Sequence, residues 1–310
     1  LYREYSKRVM SVIGRFSPLV EQVSVDEAFV DVRGSRLRFG KPTHIAGEIR
    51  RQIREEIGLP ASVGIASTKS VAKIASSNAK PDGVLLVPAQ ATIEFLHGLP
   101  VGALWGVGAK SAQVLEREGI ETIGQLAEHP LPRLSRLLGA AAAHSLHDLA
   151  WGIDPRPVTV SREEKSVGME RTFETDIRDR ALLDQFITKA SHECARRLRA
   201  GNWLCKQVAI KMRGADFSTI TRQQRLRVPT DLGREIAVAA HQLFERETLP
   251  SGGVRLFGVR AEGLIARDEG FEVALDQDER PQAAERAMDK IRGKYGAGAI
   301  SLASLLEENK

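Results

Sequence analysis

Hydrophobic positions in the first third of the chain follow two different periods. Apolar and polar residues alternate through Leu19–Val32, which predicts a pair of strands. Isoleucines then recur every four residues from Ile45 to Ile57, which predicts a helix with one apolar stripe. Two further helices are predicted at 5–14 and 69–80, and two further strands at 61–65 and 84–87. Residues 1–95 are therefore predicted to mix helices and strands.

The rest of the chain divides by pattern into four segments. Residues 96–154 are typical of helices joined by short Gly-containing turns, and the prolines and charges of 155–164 predict an extended linker. Residues 165–267 predict the order β-α-β-β-α-β, the split βαβ arrangement in which a four-stranded sheet carries two helices on one face. Residues 268–310 form an acidic tail with a predicted helix near Pro281–Lys294.

Length and composition restrict the class of protein. A chain of 310 residues is expected to form two or three domains. No apolar run approaches the ~20 residues of a membrane span, so we expect no membrane association. The two cysteines lack a CxxC pattern, which indicates a reducing compartment, the cytoplasm.

The positive charge of the chain is concentrated in one region. Residues 155–267 hold 21 Lys and Arg against 14 Asp and Glu, whereas the remainder holds 24 basic against 26 acidic residues. This asymmetry indicates a polyanionic partner for that region, although a membrane surface or simple solubility would also fit it.

Asp26 and Glu27 interrupt the predicted strand pair with two adjacent carboxylates. On a straight strand they would point to opposite faces, whereas a chain reversal would let both reach one place at the end of a sheet. Carboxylates held on a sheet supply the oxygen ligands that Mg²⁺ takes in two-metal phosphoryl transfer. Viewed alone, the pair is more typical of a solvated hairpin turn. The motifs that follow favour the metal site.

Three lysines of the predicted helix over 69–80 share one face: Lys69, Lys73 and Lys80. Lys80 lies at the helix end, directly before Pro81. It either complements the negative C-terminal end of the helix or points at the phosphates of a nucleotide bound near Asp26 and Glu27. The residues alone leave both interpretations open.

The segment Leu104–Lys110 carries two closely spaced glycines, Gly106 and Gly108, between predicted helices. The backbone N–H groups of such a turn open outward at a helix N-terminus, where they suit a DNA phosphate, and Lys110 adds positive charge. A second Gly-Ile hairpin begins at 119–124. Together these features predict a helix-hairpin-helix element that binds the DNA backbone without reading sequence.

Alternation also assigns faces within the predicted sheet of residues 165–267. The outward positions are polar or basic on two successive strands: Gln207, Lys211 and Arg213, then Thr219, Thr221, Gln223, Arg225 and Arg227. Such residues contact phosphate oxygens, although a solvated antiparallel face shows the same alternation. The local charge excess favours nucleic acid.

Four motifs, in this order, resemble those of Y-family DNA polymerases of the DinB type: Ser24–Phe29, Val63–Ala75, Ala79–Gly83 and Trp105–Gly108. The resemblance covers residues 1 to about 267. It implies a multidomain α+β fold with a partial ferredoxin-like palm at 1–95 and an all-helical thumb with a helix-hairpin-helix at 96–154. A linker at 155–164 would lead to a DNA-binding little finger at 165–267.

The resemblance also implies an activity, namely low-fidelity, template-directed DNA synthesis past damaged bases by a nucleotidyltransferase. The primer 3′-hydroxyl would attack the α-phosphate of a dNTP with the help of two Mg²⁺ ions. Asp26 and Glu27 would be catalytic metal ligands, Lys80 would contact the triphosphate and Gly106–Lys110 would hold the duplex. The implied partners are primer–template DNA and dNTP, and the protein is expected to be a monomer.

The chain departs from this family at its start. Family members carry a further segment before the position of Leu1, with a third metal carboxylate, the residue that excludes ribonucleotides and the fingers. The absence of a starter Met predicts a piece of a longer protein; otherwise the chain would be an inactive fragment. In the tail, Phe271–Leu275 faintly resembles the peptides that bind the sliding clamp, but the leading Gln is missing and a plain strand or loop fits equally well.

Two other functions remain open on the sequence. A non-catalytic DNA-binding fragment would use the helix-hairpin-helix and the basic sheet beside a degenerate palm. A nucleotidyl cyclase would also use carboxylates and Mg²⁺ on a palm-like sheet, but the helix-hairpin-helix pattern argues against it.

Overall fold

The chain forms two compact units in a computed structural model. The structure describes residues 1–160, 164–268, 280–296, 298–301 and 303. The units are Leu1–Arg162 and Glu163–Lys310, so the division falls inside the predicted linker 155–164. The candidate clamp peptide Phe271–Leu275 lies outside the described residues.

The first unit alternates helices with short strands and then becomes helical. Its elements are α1 (Tyr2–Gly14), β1 (Val20–Gln22), β2 (Ala28–Val30), α2 (Arg36–Phe39), α3 (Pro42–Ile57), β3 (Val63–Ile65), α4 (Lys69–Asn78), β4 (Val84–Leu86), α5 (Thr92–His97), α6 (Ala109–Arg117), α7 (Ile123–Glu128), α8 (Leu131–Leu138) and α9 (Ala140–Ala150).

The strands of the first unit form two separate pairs. β1 and β2 pair antiparallel, with Val20 opposite Val30, whereas β3 and β4 pair parallel, with Val63 opposite Val84. In the described part of the chain no strand joins the two pairs. The strands predicted to form a ferredoxin-like palm thus form two separate two-stranded sheets of three-residue strands, rather than one sheet, in the described residues.

Helix α3 shows how the pattern becomes structure. Pro42 occupies the first turn, where its missing N–H costs nothing, and Gly58 ends the helix in the left-handed conformation (φ 79°). Ile45, Ile49 and Ile53 are buried against α1 and its neighbours, as the four-residue repeat requires. Burial of each such side chain stabilises the fold by about 1.5–3 kcal/mol.

A second core joins helix α4 to the helices that follow it. Val71 and Ile74 of α4 pack in one cluster with Leu96, Leu115 and Leu126. The core therefore continues across residue 95, the predicted boundary between palm and thumb. Because α4 belongs to this core, the elements on both sides of that boundary share one rigid support.

The second unit is a four-stranded antiparallel sheet with helices. Its elements are β5 (Ser166–Ile177), α10 (Arg180–Ala200), β6 (Trp203–Gly214), β7 (Thr219–Thr230), α11 (Gly233–Glu245), β8 (Val254–Ala266) and α12 (Arg280–Tyr295). The strand order is β5-β8-β6-β7. Each helical crossover encloses one strand: β5-α10-β6 encloses β8, and β7-α11-β8 encloses β6. The first and third strands in sequence, β5 and β7, are consequently the edges.

Helix α12, in the predicted acidic tail, is attached to the second unit by carboxylates. Asp289 accepts a hydrogen bond of 2.6 Å from Arg199 of α10, whose side chain is 9% exposed. Glu285 also pairs with Arg199 and accepts from the backbone N–H of Gly233, at the start of α11, at 2.9 Å. A carboxylate at a helix N-terminus is favourable because it meets unsatisfied N–H groups there.

In the described residues, no helix combines the length and the apolar character that crossing a bilayer requires.

Candidate active site and nucleic-acid interface

Asp26 and Glu27 lie where the β1–β2 hairpin reverses direction. The backbone N–H groups of Val23 and Ser24 both donate to the carbonyl oxygen of Glu27, at 2.9 and 3.3 Å. The reversal is tight because two donors converge on one acceptor. The two carboxylates therefore belong to the turn itself, at the end of a sheet, and both are exposed.

Each carboxylate has a different partner. Asp26 Oδ1 accepts a hydrogen bond from Ser24 Oγ at 2.5 Å. Glu27 Oε1 pairs with Lys73 Nζ of α4 at 2.7 Å, and these side chains are 48% and 28% exposed. An ion pair this exposed is weak, so Glu27 can exchange its partner for another cation at little cost.

The donor set fits a hard divalent cation shared with a substrate. Mg²⁺ is usually bound by one or two carboxylates together with substrate phosphates and waters. Asp26 and Glu27 supply that number of carboxylates. The described residues contain no group of three or more His, Cys, Asp or Glu arranged to hold a metal ion by themselves.

The predicted lysine face divides into two roles. Lys69 and Lys73 are each used in an ion pair, with Glu21 and Glu27 respectively. Lys80 lies beyond the end of α4, is exposed, and makes no ion pair with any other residue the structure describes. Of the three, Lys80 is thus the one left available to an external anion.

A buried ion pair beside the hairpin was not foreseen from the sequence. Lys69 Nζ lies 2.5 Å from Glu21 Oε2, with side chains 10% and 7% exposed. The same Glu21 oxygen accepts from the backbone N–H of Thr159 at 2.9 Å, and Lys69 donates to the carbonyl of Pro157 at 3.1 Å. The four-residue spacing of Lys69 and Lys73 was the available signal, since it places both on the hairpin side of α4.

A second buried carboxylate, Asp154, fastens the same part of the linker. It accepts from Arg156 Nε and Nη2 at 2.6 and 2.8 Å and from the backbone N–H of Ser70 at 3.0 Å. Burial raises the pKa of Asp154, but the hydrogen bonds from Arg156 and Ser70 outweigh it and hold the pKa below its ordinary value. Residues 154–159, which we call the linker base, are therefore a fixed part of the first unit.

The predicted DNA-binding turn has the expected backbone. Gly106 has φ 107°, a conformation that favours glycine, and Gly108 is the residue that starts α6. Gly106, Gly108 and Lys110 are exposed, and the first N–H groups of an α-helix such as α6 have no partner within the helix. The preceding segment, 101–103, is a short 3₁₀ turn rather than a full helix.

The second glycine hairpin is hydrogen-bonded to residues 99–101, which precede the first turn. Thr122 and Gln125 form a capping box at the start of α7. The backbone N–H of Val101 donates to the carbonyl of Glu121 at 2.7 Å, and that of Ile123 donates to the carbonyl of Leu99 at 2.9 Å. These hydrogen bonds hold the segment that precedes the first turn against the start of α7.

The outer face of the four-stranded sheet carries more acidic side chains than the pattern of β6 and β7 alone suggested. Lys211 pairs with Glu170 of β5 at 2.9 Å, and Arg213 donates to Thr219 Oγ1 at 2.8 Å. Arg225 and Arg227 are exposed, and neither pairs with an acid in the described part of the chain. The predicted basic face is therefore strongest along β7, because Glu170 of β5, on the far side of β8, neutralises Lys211 of β6.

Comparison with known proteins connects these features. The impB/mucB/samB family pattern matches residues 1–77, and that family's C-terminal domain matches residues 164–275. A DNA polymerase IV of Streptomyces coelicolor is 41% identical over 91% of this chain and 60% of its own length. DNA polymerase IV proteins of Dehalococcoides mccartyi and Desulfatibacillum aliphaticivorans are 38% and 37% identical, and the chain covers 77% and 78% of them.

Solved structures show the same fold. A Y-family DNA polymerase chimera aligns with a TM-score of 0.74 at 23% identity, over 86% of this chain and 76% of the chimera. An insertion ternary complex of Dbh DNA polymerase aligns with a TM-score of 0.58, at the same identity and coverage.

The α+β fold and these matches define the class as Y-family DNA polymerase, whose members generally use divalent metal ions. Within that class, the chain belongs to the DinB-type, DNA polymerase IV family. It spans 60% of the first of these relatives and somewhat more than three quarters of the other two.

Proposed function

We propose that this chain is the part of a translesion DNA polymerase that carries the carboxylate pair Asp26 and Glu27, the duplex-holding turn and the DNA-binding sheet. The reaction is template-directed transfer of a dNMP to a primer 3′-hydroxyl. Family membership is the observation that carries the proposal. The exposed carboxylate hairpin, with Lys80 unpaired in the described chain, supports it.

In this proposal the first unit contains the palm, at 1–95, and the thumb, at 96–154, and the second unit contains the little finger, at 165–267. Primer–template DNA and dNTP are the partners, and Gly106, Gly108 and Lys110 bind the duplex backbone. Lys211, Arg213, Arg225 and Arg227 line the sheet face that follows the DNA. Sliding-clamp contact, a monomeric state and a cytoplasmic location remain predictions.

The chemistry assigns each group a task. Asp26 and Glu27 would hold two Mg²⁺ ions, which when bound supply charge stabilisation to the attacking hydroxyl and the leaving pyrophosphate. Glu27 gives up Lys73 to do so. Lys80 holds the triphosphate through its ammonium group, and the N–H groups at the start of α6 hold a duplex phosphate.

Primer extension tests the proposal directly. The chain, or the longer protein that contains it, is expected to extend a primer in the presence of Mg²⁺, and Asp26→Ala or Glu27→Ala is expected to abolish extension while DNA binding persists. Glu94→Ala, which removes an exposed carboxylate from α5, is the matched control and should leave extension unchanged.

Two results would count against the proposal. Unchanged extension by either carboxylate variant would remove these residues from the active site. Salt-dependent binding of primer–template without any incorporation, in the longer protein as well as in this chain, would instead indicate a non-catalytic DNA-binding protein.

A further inference from the structure

Trp105 lies directly before Gly106 and is contacted by side chains from three other parts of the first unit. The rings of Phe29 and Trp105 lie 5.6 Å apart between centroids. The guanidinium carbon of Arg156 lies 4.4 Å from the Trp105 centroid, and the ammonium of Lys73 lies 6.0 Å from it. Trp105 is thus placed between the carboxylate hairpin, helix α4 and the linker base.

The contacts of Trp105 belong to a closed series of contacts among six residues, which we call the contact ring. Lys69 Nζ lies 5.0 Å from the centroid of Phe29, and Asp154, the partner of Arg156, accepts from the backbone N–H of Ser70. In order, the members are Lys69, Phe29, Trp105, Arg156, Asp154 and Ser70. Because Lys69 and Ser70 are consecutive at the start of α4, the contact ring has no free end. A closed set of contacts resists displacement of any one member.

We propose that Trp105 and Arg156 are positioning residues, which hold the Gly106–Gly108 turn at one place relative to Asp26 and Glu27. The inference rests on the proposed function and deepens it. A duplex held at the turn must present its primer end to the carboxylates, and small misplacements in such a reaction are costly: about 1 Å can cost on the order of a hundredfold in rate. Neither residue touches the reacting groups; both act through the turn.

The two contacts of Arg156 require an arginine side chain. Its Nε and Nη2 both donate to Asp154, while its planar guanidinium lies over the Trp105 ring. A lysine has a single ammonium and cannot donate in this forked way while stacking on a ring. Arg156→Lys is therefore expected to lose the positioning effect although it keeps the charge.

Localised DNA cleavage tests the proposal without requiring polymerase activity. Fe²⁺ replaces Mg²⁺ on the chain bound to end-labelled primer–template, and ascorbate with peroxide then generates hydroxyl radicals at the bound iron. The cut positions report which nucleotides lie beside Asp26 and Glu27. Thermal unfolding and DNA affinity are measured for the same variants.

The unaltered chain is expected to cut in a narrow window. Trp105→Ala and Arg156→Lys are expected to bind DNA within a few-fold of the unaltered chain, yet to shift the window or broaden it. Trp105→Phe, which retains an aromatic ring against Phe29, is expected to cut in a window nearly as narrow as that of the unaltered chain. It replaces Trp105→Ala as the test variant if Trp105→Ala does not fold. Trp151→Phe, at a tryptophan that contacts His97 and Ala127 instead, is the control.

Three outcomes are decisive. An identical window in Trp105→Ala, Arg156→Lys and the unaltered chain would overturn the positioning role. Loss of DNA binding and of thermal stability in both Arg156→Lys and Trp105→Phe would show that these residues only maintain the fold, and would also overturn it. Diffuse cleavage by the unaltered chain, despite tight DNA binding, would refute the metal site of the proposed function and this inference with it.

Discussion

At the scale of single residues, the first unit depends on a carboxylate that the proposed chemistry does not use. Asp154 is 1% exposed in its side chain and holds both the Arg156 fork and the first turn of α4. Asp154→Asn keeps the shape but loses the charge that those donors favour. We expect it to lower the free energy of unfolding by about 1–3 kcal/mol at pH 7 in urea titrations.

The stability lost in Asp154→Asn should depend on pH, because the Asp154 carboxyl titrates. The pKa of Asp154 is lowered in the folded state, so its contribution is present above the unfolded-state value of about 3.9 and is lost as the pH falls toward the lower folded-state value. The stability difference between the parent and Asp154→Asn should therefore narrow below about pH 4. A constant difference from pH 7 to pH 3 would contradict this account.

Two buried thiols should be chemically inert in the folded protein. Burial raises the pKa of Cys194 to about 11 and that of Cys205 to about 12. The thiolate is the reactive form, and both side chains are inaccessible. A thiol reagent at pH 8 is expected to modify neither until denaturant is added, which absorbance or mass spectrometry would show. Rapid modification of the folded chain would mean that the α10–β6 region opens readily.

At the scale of elements, the Lys69–Glu21 pair joins α4, β1 and the linker base. Removing one partner of a buried pair leaves an uncompensated charge, whereas removing both does not. Lys69→Met and Glu21→Gln should each cost about 3–5 kcal/mol of unfolding free energy, and the double variant less than their sum.

A double-mutant cycle in urea measures this coupling. Arg51→Ala, which removes an exposed arginine paired with Glu48 and Glu55 on its own helix, is a control with a small expected effect. Additive losses for Lys69→Met and Glu21→Gln would mean that the two side chains contribute independently and that the pair does not fasten the linker base.

At the scale of the whole molecule, the excess positive charge lies in residues 155–267, the range that contains the four-stranded sheet. Counterion release makes the logarithm of DNA affinity fall with the logarithm of salt concentration, roughly by one for each phosphate contact. Arg225→Ala with Arg227→Ala should reduce that slope by about two and weaken binding to all sequences alike. Fluorescence anisotropy across a salt series is the measurement.

Lys211→Ala is the informative comparison for this face. Because Lys211 is already paired with Glu170, its removal should change the salt slope by less than either arginine does. Equal effects would show that DNA displaces Glu170 and that the whole face contributes. No change on removing Arg225 and Arg227 would show that this sheet does not contact DNA.

Much of the fold followed from local patterns. The repeat of Ile45, Ile49 and Ile53 gave α3 its buried stripe, and alternation placed Arg225 on the open side of β7, because periodicity depends only on backbone geometry. The Ser24–Phe29 motif likewise located the candidate carboxylates and the family.

Contacts between distant segments depended on tertiary structure. No local pattern brings Glu21 to Lys69, or Asp154 to Ser70, since these partners are 48 and 84 residues apart. The same holds for Glu170 beside Lys211, which the strand order decides. The sequence by itself determined which elements form and which residues carry the chemistry. Only the packing of those elements decided which charges are neutralised and which linker residues are fixed. It also decided that Trp105, next to the Gly106–Gly108 turn, packs against the carboxylate hairpin.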